Sequence, residues 1–254
     1  MASASQTFVS KETLRRIISD IKDLRKNPLS THGIYYEHDE QDMLKGRALI
    51  IGPADTPYAD GFYLFKFQFP SNYPHAPPTV EFCTGDGYTR FNPNLYRTGK
   101  VCLSILNTWK GEPWSGCQTI SSVLLAICTV LNAEPLLNEP GIMKTHRDYK
   151  SYNEIINYKN IEVAIFAMLA SVRATKNDEP SLIPTHARNT SEFAIFGDIM
   201  REHFQKNKEK IRERVEEAIA MAAGQVPGGP AAELVINIYK ITVIPDYKKL
   251  LEQF

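Results

Sequence analysis

The segment from Phe62 to Phe69 constrains the fold of this chain most strongly. Its aromatic residues recur at every second position, at Tyr63, Phe65, Phe67 and Phe69. Lys66 and Gln68 fall on the opposite face. A period of two is the pattern of an antiparallel strand that buries one face and leaves the other in solvent. The segment therefore predicts a half-buried strand of an antiparallel sheet.

Three further segments have strand character, and turn residues separate them from one another. They are Gly33 to His38, Arg47 to Ile51, and Thr79 to Cys83. Gly52-Pro53 and the prolines between Pro70 and Pro78 favour turns because proline cannot donate to a strand ladder. The simplest topology for four such strands is an antiparallel meander.

An amphipathic helix precedes the strands. Ser10 is placed to cap it, and Asn27-Pro28 ends it. Its apolar stripe consists of Leu14, Ile17, Ile18, Ile21 and Leu24. Its other face carries the cations Lys11, Arg15, Arg16, Lys22, Arg25 and Lys26. This basic face is either simply solvated or a docking patch for an acidic partner, in which Lys11, Arg15, Arg16 and Lys22 bind the partner.

Helical periodicity returns after a long loop. A helix opened by Thr119 or Ser121 carries a core stripe, and its spacing predicts that Cys128 is buried. A second helix is predicted from Tyr152 to Val172. The remaining predicted segments are a polar connector at 176–190, a charged helix from Ser191 to Gly224, a hinge from Gly224 to Pro230 and an apolar segment from Leu234 to Leu251.

Charge and hydropathy exclude several classes of function. Basic and acidic residues both number 29, so no overall positive field attracts nucleic acid. The first ten residues lack a secretory pattern, and the longest apolar-rich run, from Val123 to Leu131, is too short to span a bilayer. We therefore expect neither nucleic acid nor membrane as a partner, and a cytoplasmic location with the nucleus as the second candidate compartment.

The spacing of cysteine and histidine argues against a metal site. The four cysteines, Cys83, Cys102, Cys117 and Cys128, form no CxxC pair, and the six histidines never recur at zinc-binding spacing. Free thiols in a reducing compartment fit this pattern. No metal ion or small-molecule cofactor is expected.

The loop between the strands and the second helix contains the most specific motif. Asn92-Pro93-Asn94 is followed by Cys102, eight residues after Asn94. The stretch from Phe91 to Leu106 resembles the active-site signature of ubiquitin-conjugating enzymes, in which a His-Pro-Asn tripeptide precedes the acceptor cysteine. Long ordered loops of this kind are usually functional.

The resemblance covers residues 9–175, about two thirds of the chain. Its motifs outside the cysteine loop, in the family's order, are Gly52-Pro53, Thr56-Pro57-Tyr58, Gly61, Phe69-Pro70, Tyr73-Pro74, Pro77-Pro78 and Trp114-Ser115. It implies an α+β fold with a four-stranded meander and flanking helices as the core domain, and residues 176–254 as a helical extension. The Asn138-to-Gly141 run and the long extension are similar to one branch of the family. We expect the extension to be separable from the core; the alternative is that its apolar residues Phe193, Phe196, Leu234, Val235 and Ile238 pack on the core, in which case truncation destabilises it.

The resemblance also implies an activity. Cys102 would accept ubiquitin or a ubiquitin-like modifier as a thioester from an activating enzyme and pass it to a substrate lysine, usually with a ubiquitin ligase. The alternative is a non-catalytic ubiquitin-binding scaffold with the same fold. A cysteine hydrolase is a more distant alternative, since no histidine base lies near Cys102 in sequence.

Three departures from the family pattern concern the candidate site. Asn92 replaces the histidine of the tripeptide, and an amide that hydrogen-bonds the backbone is able to shape the loop in its place. About four extra residues separate Cys102 from Trp114. The acidic residue that gates the incoming lysine in the family maps to Asn138 or Glu139, and the proline register favours Glu139.

The chemistry assigns a role to each candidate. Exchange between a thiol and a thioester needs no strong base, because the leaving thiol resembles the attacking one. Transfer to lysine passes through an oxyanion, which an amide donor such as Asn94 stabilises, and Glu139 is the candidate to accept the lysine proton. The other three cysteines are predicted to be passive.

Overall fold

The computed structural model describes residues 9–173, 191–225 and 233–254. The helices are α1 (Lys11–Lys26), α2 (Ile120–Val130), α3 (Tyr149–Lys159), α4 (Met168–Arg173), α5 (Gly197–Gln225) and α6 (Tyr247–Leu251). The strands are β1 (Ile34–His38), β2 (Lys45–Ile51), β3 (Phe62–Gln68), β4 (Thr79–Phe82), β5 (Leu234–Ile236) and β6 (Ile241–Val243). The predicted connector at 176–190 and most of the predicted hinge at 224–230 lie outside the described residues.

Strands β1 to β4 form one antiparallel sheet in sequence order. Its register pairs Ala48 of β2 with Tyr36 on one side and Phe65 on the other. The predicted four-stranded meander is therefore confirmed, and the strand boundaries differ from the predicted ones by one or two residues. Strands β5 and β6 form a separate hairpin, which the sequence analysis missed.

The prediction of a half-buried β3 is wrong, because both faces of this strand are covered. The aromatic face packs against neighbouring rings, as in the Phe65 and Phe82 pair with centroids 5.5 Å apart. On the opposite face, Phe62 and Leu64 are also fully buried. On this opposite face, polar residues occur only toward the end of β3. There, Lys66 Nζ lies 3.0 Å from Glu192 Oε1 of the C-terminal extension.

Helix α1 begins and ends as predicted, but its buried stripe is narrower. The Ser10 hydroxyl accepts a hydrogen bond from the Thr13 amide at 3.0 Å, and Asn27 forms the C-cap. Ile17 is fully buried, whereas Ile18 is 42% exposed. Placing Ile18 in the core was therefore wrong. A 100° step per residue turns Ile18 toward Lys11, Arg15 and Lys22, which are all exposed.

Arg16 has a structural role that distinguishes it from the other α1 cations. Its guanidinium bonds Asp20 at 2.9 Å and donates to the carbonyl oxygens of Gly116, at 2.6 Å, and Gln118. It thereby ties α1 to the segment that leads into α2. Arg16 is half-buried and its donors are occupied, so the prediction that it lies on a free basic face is wrong.

Helix α2 begins with a capping box in which Thr119 and Ser122 satisfy each other's amides. The Thr119 cap confirms one of the two predicted starts. Cys128 is half-buried rather than buried, because it lies at the edge of the α2 core stripe. Burial still raises the pKa of its thiol.

A helical stretch from Tyr149 to Arg173 packs on β3, where Asn160 Oδ1 accepts from the Tyr63 hydroxyl at 2.6 Å. It consists of α3, a π-helix at Asn160–Ala167, and α4, and it begins three residues before the predicted start. The part from Tyr149 to Val172 is long and apolar enough to span a membrane by composition, but 67% of its most apolar window is buried inside the protein. That burial is typical of a core helix in a globular fold.

The C-terminal extension covers the second face of the sheet. A 3-10 segment, Ser191–Phe196, precedes α5, so the predicted helix from Ser191 begins six residues later at Gly197. Phe193, Phe196 and Met200 are at most 1% exposed. The His203 ring packs on Phe62 with centroids 6.0 Å apart, so the segment from Glu192 to His203 runs across the sheet.

A buried ion cluster fixes α5 to the core. Asp60 accepts from His203 Nε2 at 2.9 Å and from Arg214 at 3.0 Å. Burial alone would raise the pKa of Asp60, but the His203 hydrogen bond and the Arg214 charge outweigh it and lower that pKa. Asp60 therefore stays ionised, and replacing either partner would leave a poorly compensated buried charge.

The last apolar segment, whose sequence predicts an interruption at Pro245, consists of a hairpin before that proline and a helix after it. The β5–β6 hairpin turns at Lys240, which has a φ of 52°, and α6 follows the break at Pro245. Asp148 accepts from Asn237 Nδ2 at 3.0 Å and from the Ile238 amide at 2.9 Å. These hydrogen bonds seat the hairpin on the core beside α3.

This packing changes the expected outcome of truncation. A chain ending at residue 173 would expose Leu49, Phe62 and Leu64, which are fully buried in the whole protein. At about 1.5–3 kcal/mol for each of the three side chains, the free energy of unfolding should fall by about 5–9 kcal/mol. Thermal melting with an apolar dye measures the loss. A chain ending at residue 225 keeps the cover and should melt much closer to the full chain; equal melting of all three would contradict this account.

Candidate active site

The loop between β4 and α2 is held in an ordered shape by isolated strand bridges. Glu81 pairs with Lys100, and Leu95 pairs with Val101. Cys102 directly follows the second bridge, so backbone pairing fixes the position of the cysteine. The Cys102 residue is only 1% exposed.

Asn94 and Cys102 bind each other through two hydrogen bonds. The Cys102 amide donates to the Asn94 carbonyl oxygen at 2.9 Å. The Asn94 side-chain amide donates to the Cys102 carbonyl oxygen at 2.7 Å. The Asn94 Oδ1 atom is buried without a hydrogen-bond partner. The structure thus brings together the two residues on which the sequence interpretation depends most.

Asn92 has the geometry expected of a substitute for the tripeptide histidine. Its Oδ1 accepts from the Asn94 amide at 2.9 Å. Its Nδ2 donates to the Tyr58 hydroxyl at 2.8 Å and to the Val130 carbonyl oxygen at 2.7 Å. Asn92 is fully buried, and these bonds join the cysteine loop to the end of α2. A neutral amide therefore shapes the loop through the backbone.

The side chains of the two gate candidates, Asn138 and Glu139, bind different parts of the structure. Asn138 Nδ2 donates to the Val130 carbonyl oxygen at 3.0 Å and lies 3.4 Å from Asn92 Oδ1. Asn138 therefore belongs to the network beneath the cysteine loop. Glu139 accepts instead from the Tyr239 hydroxyl, with Oε2 2.6 Å from the phenolic oxygen. A chain of contacts leads from Glu139 to Cys102. Glu139 follows Asn138 in the sequence, and the Asn138 amide lies next to Asn92. Asn92 bonds the Asn94 backbone amide, and the Asn94 side chain bonds Cys102.

Thr108 was not singled out by the sequence, although it brackets the cysteine. Its Oγ1 accepts from the Leu103 amide at 2.9 Å and lies 2.9 Å from the Val101 carbonyl oxygen. The residues on both sides of Cys102 are therefore tied to one hydroxyl. A threonine in a loop gives no periodic signal, so only the folded geometry shows this role.

The inserted rim before Trp114 is also ordered. Gly111 has a φ of 134°, and a Cβ there would lie 3.0 Å from the Ser104 Cβ. Glycine is thus required by both backbone conformation and close approach. Trp114 is buried and donates from Nε1 to the Pro74 carbonyl oxygen at 2.7 Å, which agrees with its predicted packing role.

Of the other cysteines, only Cys117 is exposed; Cys83 is buried. Within the part of the chain that the structure describes, no three His, Cys, Asp or Glu side chains are grouped closely enough to hold a metal ion. The described site consists of a thiol, amides, hydroxyls and one carboxylate.

Comparison with known proteins identifies the family. The model of the ubiquitin-conjugating enzyme family matches residues 16–172, more than half of the chain. The chain belongs to the ubiquitin-conjugating enzyme family. The chain is 47% identical over 163 residues to ubiquitin-conjugating enzyme E2 Z of Xenopus tropicalis, a match that covers 63% of the chain and 51% of that protein. It therefore spans about half the length of this relative.

The chain is also similar to two further proteins. The chain is 36% identical over 204 residues to the human dual E2 ubiquitin-conjugating enzyme/E3 ubiquitin-protein ligase BIRC6, a match that covers 75% of this chain and 4% of that protein. The solved structure of human ubiquitin-conjugating enzyme E2 G1 has a TM-score of 0.42 and 30% identity, covering 49% of this chain and 97% of that one. The family match confirms that the fold is the one implied by the sequence resemblance.

Proposed function

We propose that this conjugating enzyme accepts ubiquitin or a ubiquitin-like modifier from an activating enzyme as a thioester on Cys102. It then transfers the modifier to a substrate lysine, usually with a ubiquitin ligase. The pair of hydrogen bonds between Asn94 and Cys102, in a chain of this family, is the observation that supports the proposal most. An ordered cysteine loop with no histidine near Cys102 in sequence suits acyl exchange better than hydrolysis.

Charging is a balanced exchange of thioesters. The Cys102 thiol loses its proton, and the thiolate attacks the modifier's thioester carbonyl to form the new carbon–sulfur bond. The bond to the activating enzyme's sulfur breaks, and that sulfur leaves as a thiolate that takes up a proton. Because the two thiols are of similar strength, little catalytic help is needed. The main requirement is access, since Cys102 is 1% exposed in this conformation.

Transfer to lysine needs more help. The neutral lysine nitrogen attacks the thioester carbonyl and generates an oxyanion; the nitrogen then loses a proton, and the Cys102 thiolate leaves. Asn94 is the candidate donor to the oxyanion: one hydrogen of its Nδ2 bonds the backbone carbonyl oxygen of Cys102, and the second is left for the oxyanion. Glu139 is the candidate acceptor of the lysine proton.

A non-reducing gel tests the function. Incubation with ubiquitin-activating enzyme, ubiquitin and ATP should give an adduct that a thiol reductant removes, and omission of ATP should prevent it. A panel of ubiquitin-like modifiers with their activating enzymes identifies the modifier. A protein that binds ubiquitin without an adduct across the whole panel would be a scaffold, and turnover of a thioester substrate without ATP would indicate a hydrolase.

The exposed side of α1 is our proposed docking surface for the activating enzyme. Lys11, Arg15 and Lys22 are exposed, and Ile18 between them is 42% exposed. An apolar residue framed by cations fits an acidic partner surface with a small apolar contact. Arg16 is excluded from this surface because its donors hold Gly116 and Gln118.

Reversing charges on α1 distinguishes a role of this face in docking from a role in folding. Arg15→Glu with Lys22→Glu should slow charging about tenfold at low salt, since favourable steering becomes repulsion, and leave the melting temperature unchanged. Arg16→Ala should instead lower the melting temperature. The matched control reverses Lys248 and Lys249, which are exposed on α6, and should charge normally. Equal charging rates of the α1 variant and wild type at low salt would mean that the face is only solvated.

A further inference from the structure

The β5–β6 hairpin of the C-terminal extension reaches the candidate gate. Tyr239 lies in the turn of this hairpin, between β5 and β6. Its hydroxyl donates to Glu139 Oε2 at 2.6 Å, a distance typical of a hydrogen bond to an ionised acceptor. The extension and the candidate active site are therefore in direct contact through one side chain on each.

Several independent contacts hold Tyr239 in place. Arg97 donates to its backbone carbonyl oxygen at 2.6 Å. Its ring lies 5.7 Å from the Tyr152 ring, and the Arg90 guanidinium lies 4.8 Å from its ring centroid. A phenol anchored at the backbone and along the ring gives its hydroxyl little freedom. Burial and the neighbouring Glu139 raise the pKa of Tyr239, so the hydroxyl keeps its proton and remains a donor.

Glu139, in contrast, depends on this one contact for its side-chain orientation. Within residues 9–173, 191–225 and 233–254, its carboxylate makes no other hydrogen bond or ion pair, and the residue is half-buried. Its backbone closes the preceding 3-10 turn by donating to Leu136, which fixes the main chain but not the carboxylate. Without Tyr239, the side chain would be free to change rotamer.

We infer that Tyr239 is a positioning residue for lysine transfer: it fixes the Glu139 carboxylate through Oε2 and leaves Oε1 as the oxygen that accepts the lysine proton. The inference rests on the proposed function and extends it to a residue of the C-terminal extension. In the transfer step, the nitrogen–carbon bond forms and gives the oxyanion, the proton then moves from the nitrogen to Oε1, and the oxyanion collapses as the bond to the Cys102 sulfur breaks and the thiolate leaves. Tyr239 forms and breaks no covalent bond.

Tyr239→Phe tests the inference, because it removes the hydroxyl and keeps the ring contacts. The wild type and the variant are charged with ubiquitin, and single-turnover discharge to free lysine is followed over a range of lysine concentrations. We expect normal charging, a maximal discharge rate about three- to tenfold lower, and an unchanged lysine concentration at half-maximal rate. Tyr158→Phe is the matched control, since it removes a tyrosine–glutamate hydrogen bond, to Glu162 at 3.1 Å, elsewhere in the fold. It should discharge at the wild-type rate.

A double-mutant cycle shows whether Tyr239 acts through Glu139. Glu139→Gln should lower the maximal discharge rate, and adding Tyr239→Phe to it should cause no further loss. Equal losses in both backgrounds, normal discharge by Glu139→Gln, or faster discharge by Tyr239→Phe would each overturn the inference. A wild-type protein that never charges would overturn the proposed function instead, so the two failures are distinguishable.

Discussion

Asn94→Ala should discharge its modifier to free lysine about 10²-fold more slowly than the wild type while losing much less of its charging rate. Loss of the amide donor affects lysine transfer most, because an oxyanion develops in that step. One amide donor stabilises such an oxyanion by about 2.7–4 kcal/mol. Exchange between similar thiols needs little such help. Charging and discharge are measured separately, the second on protein that has already been charged.

The structure also predicts a stability cost for Asn94→Ala. Its amide donates to the Cys102 carbonyl oxygen, which is left without this partner in the variant. An unpaired buried acceptor costs about 1–3 kcal/mol, so the melting temperature should fall. Asn132→Ala is the matched control: its amide bonds Asn138 in the neighbouring network at 2.9 Å and touches neither Asn94 nor Cys102. It should melt lower and keep the wild-type ratio of discharge to charging.

Two outcomes would contradict a direct role for Asn94. Equal losses of charging and discharge, together with a lower melting temperature, would show that Asn94 only shapes the loop. Normal discharge by a stable, fully charged variant would remove Asn94 from the mechanism altogether.

The sheet and its helices were predictable because their determinants are local. The strand at β3, the Ser10 cap of α1 and the Thr119 cap of α2 all follow from short-range patterns, and the structure confirms each of these elements, although both faces of β3 are buried. Helix α1 ended at Asn27 as predicted, since the following proline cannot continue a helix.

Contacts between distant segments were not predictable from such patterns. The second face of β3 reads as polar at Lys66, yet the extension covers Phe62 and Leu64 beside it. The apolar stripe of α1 predicted that Ile18 is buried, whereas Ile18 is exposed. Periodicity gives the width of a buried face only approximately. The hairpin at Leu234 to Val243 consists of two three-residue strands, which are too short to show alternation.

The same distinction between local patterns and contacts between distant segments holds for the candidate site. The eight-residue offset from Asn94 to Cys102 and the replacement of histidine by Asn92 were both visible in the sequence, and the geometry of both agrees with the interpretation. Tyr239 lies 100 positions from Glu139, and a tyrosine in a turn carries no motif. Its contact with the gate candidate depends on how the extension folds back.

Intact-mass analysis of five cysteine variants tests the central claim, that Cys102 carries the modifier as a thioester, most directly. After incubation with activating enzyme, modifier and ATP, Cys102→Ala should form no reductant-sensitive adduct, whereas Cys83→Ala, Cys117→Ala and Cys128→Ala should form it as the wild type does. Cys102→Ser should form an oxyester that survives reductant, because oxygen replaces the acceptor sulfur. A reductant-sensitive adduct on Cys102→Ala would contradict the assignment of Cys102.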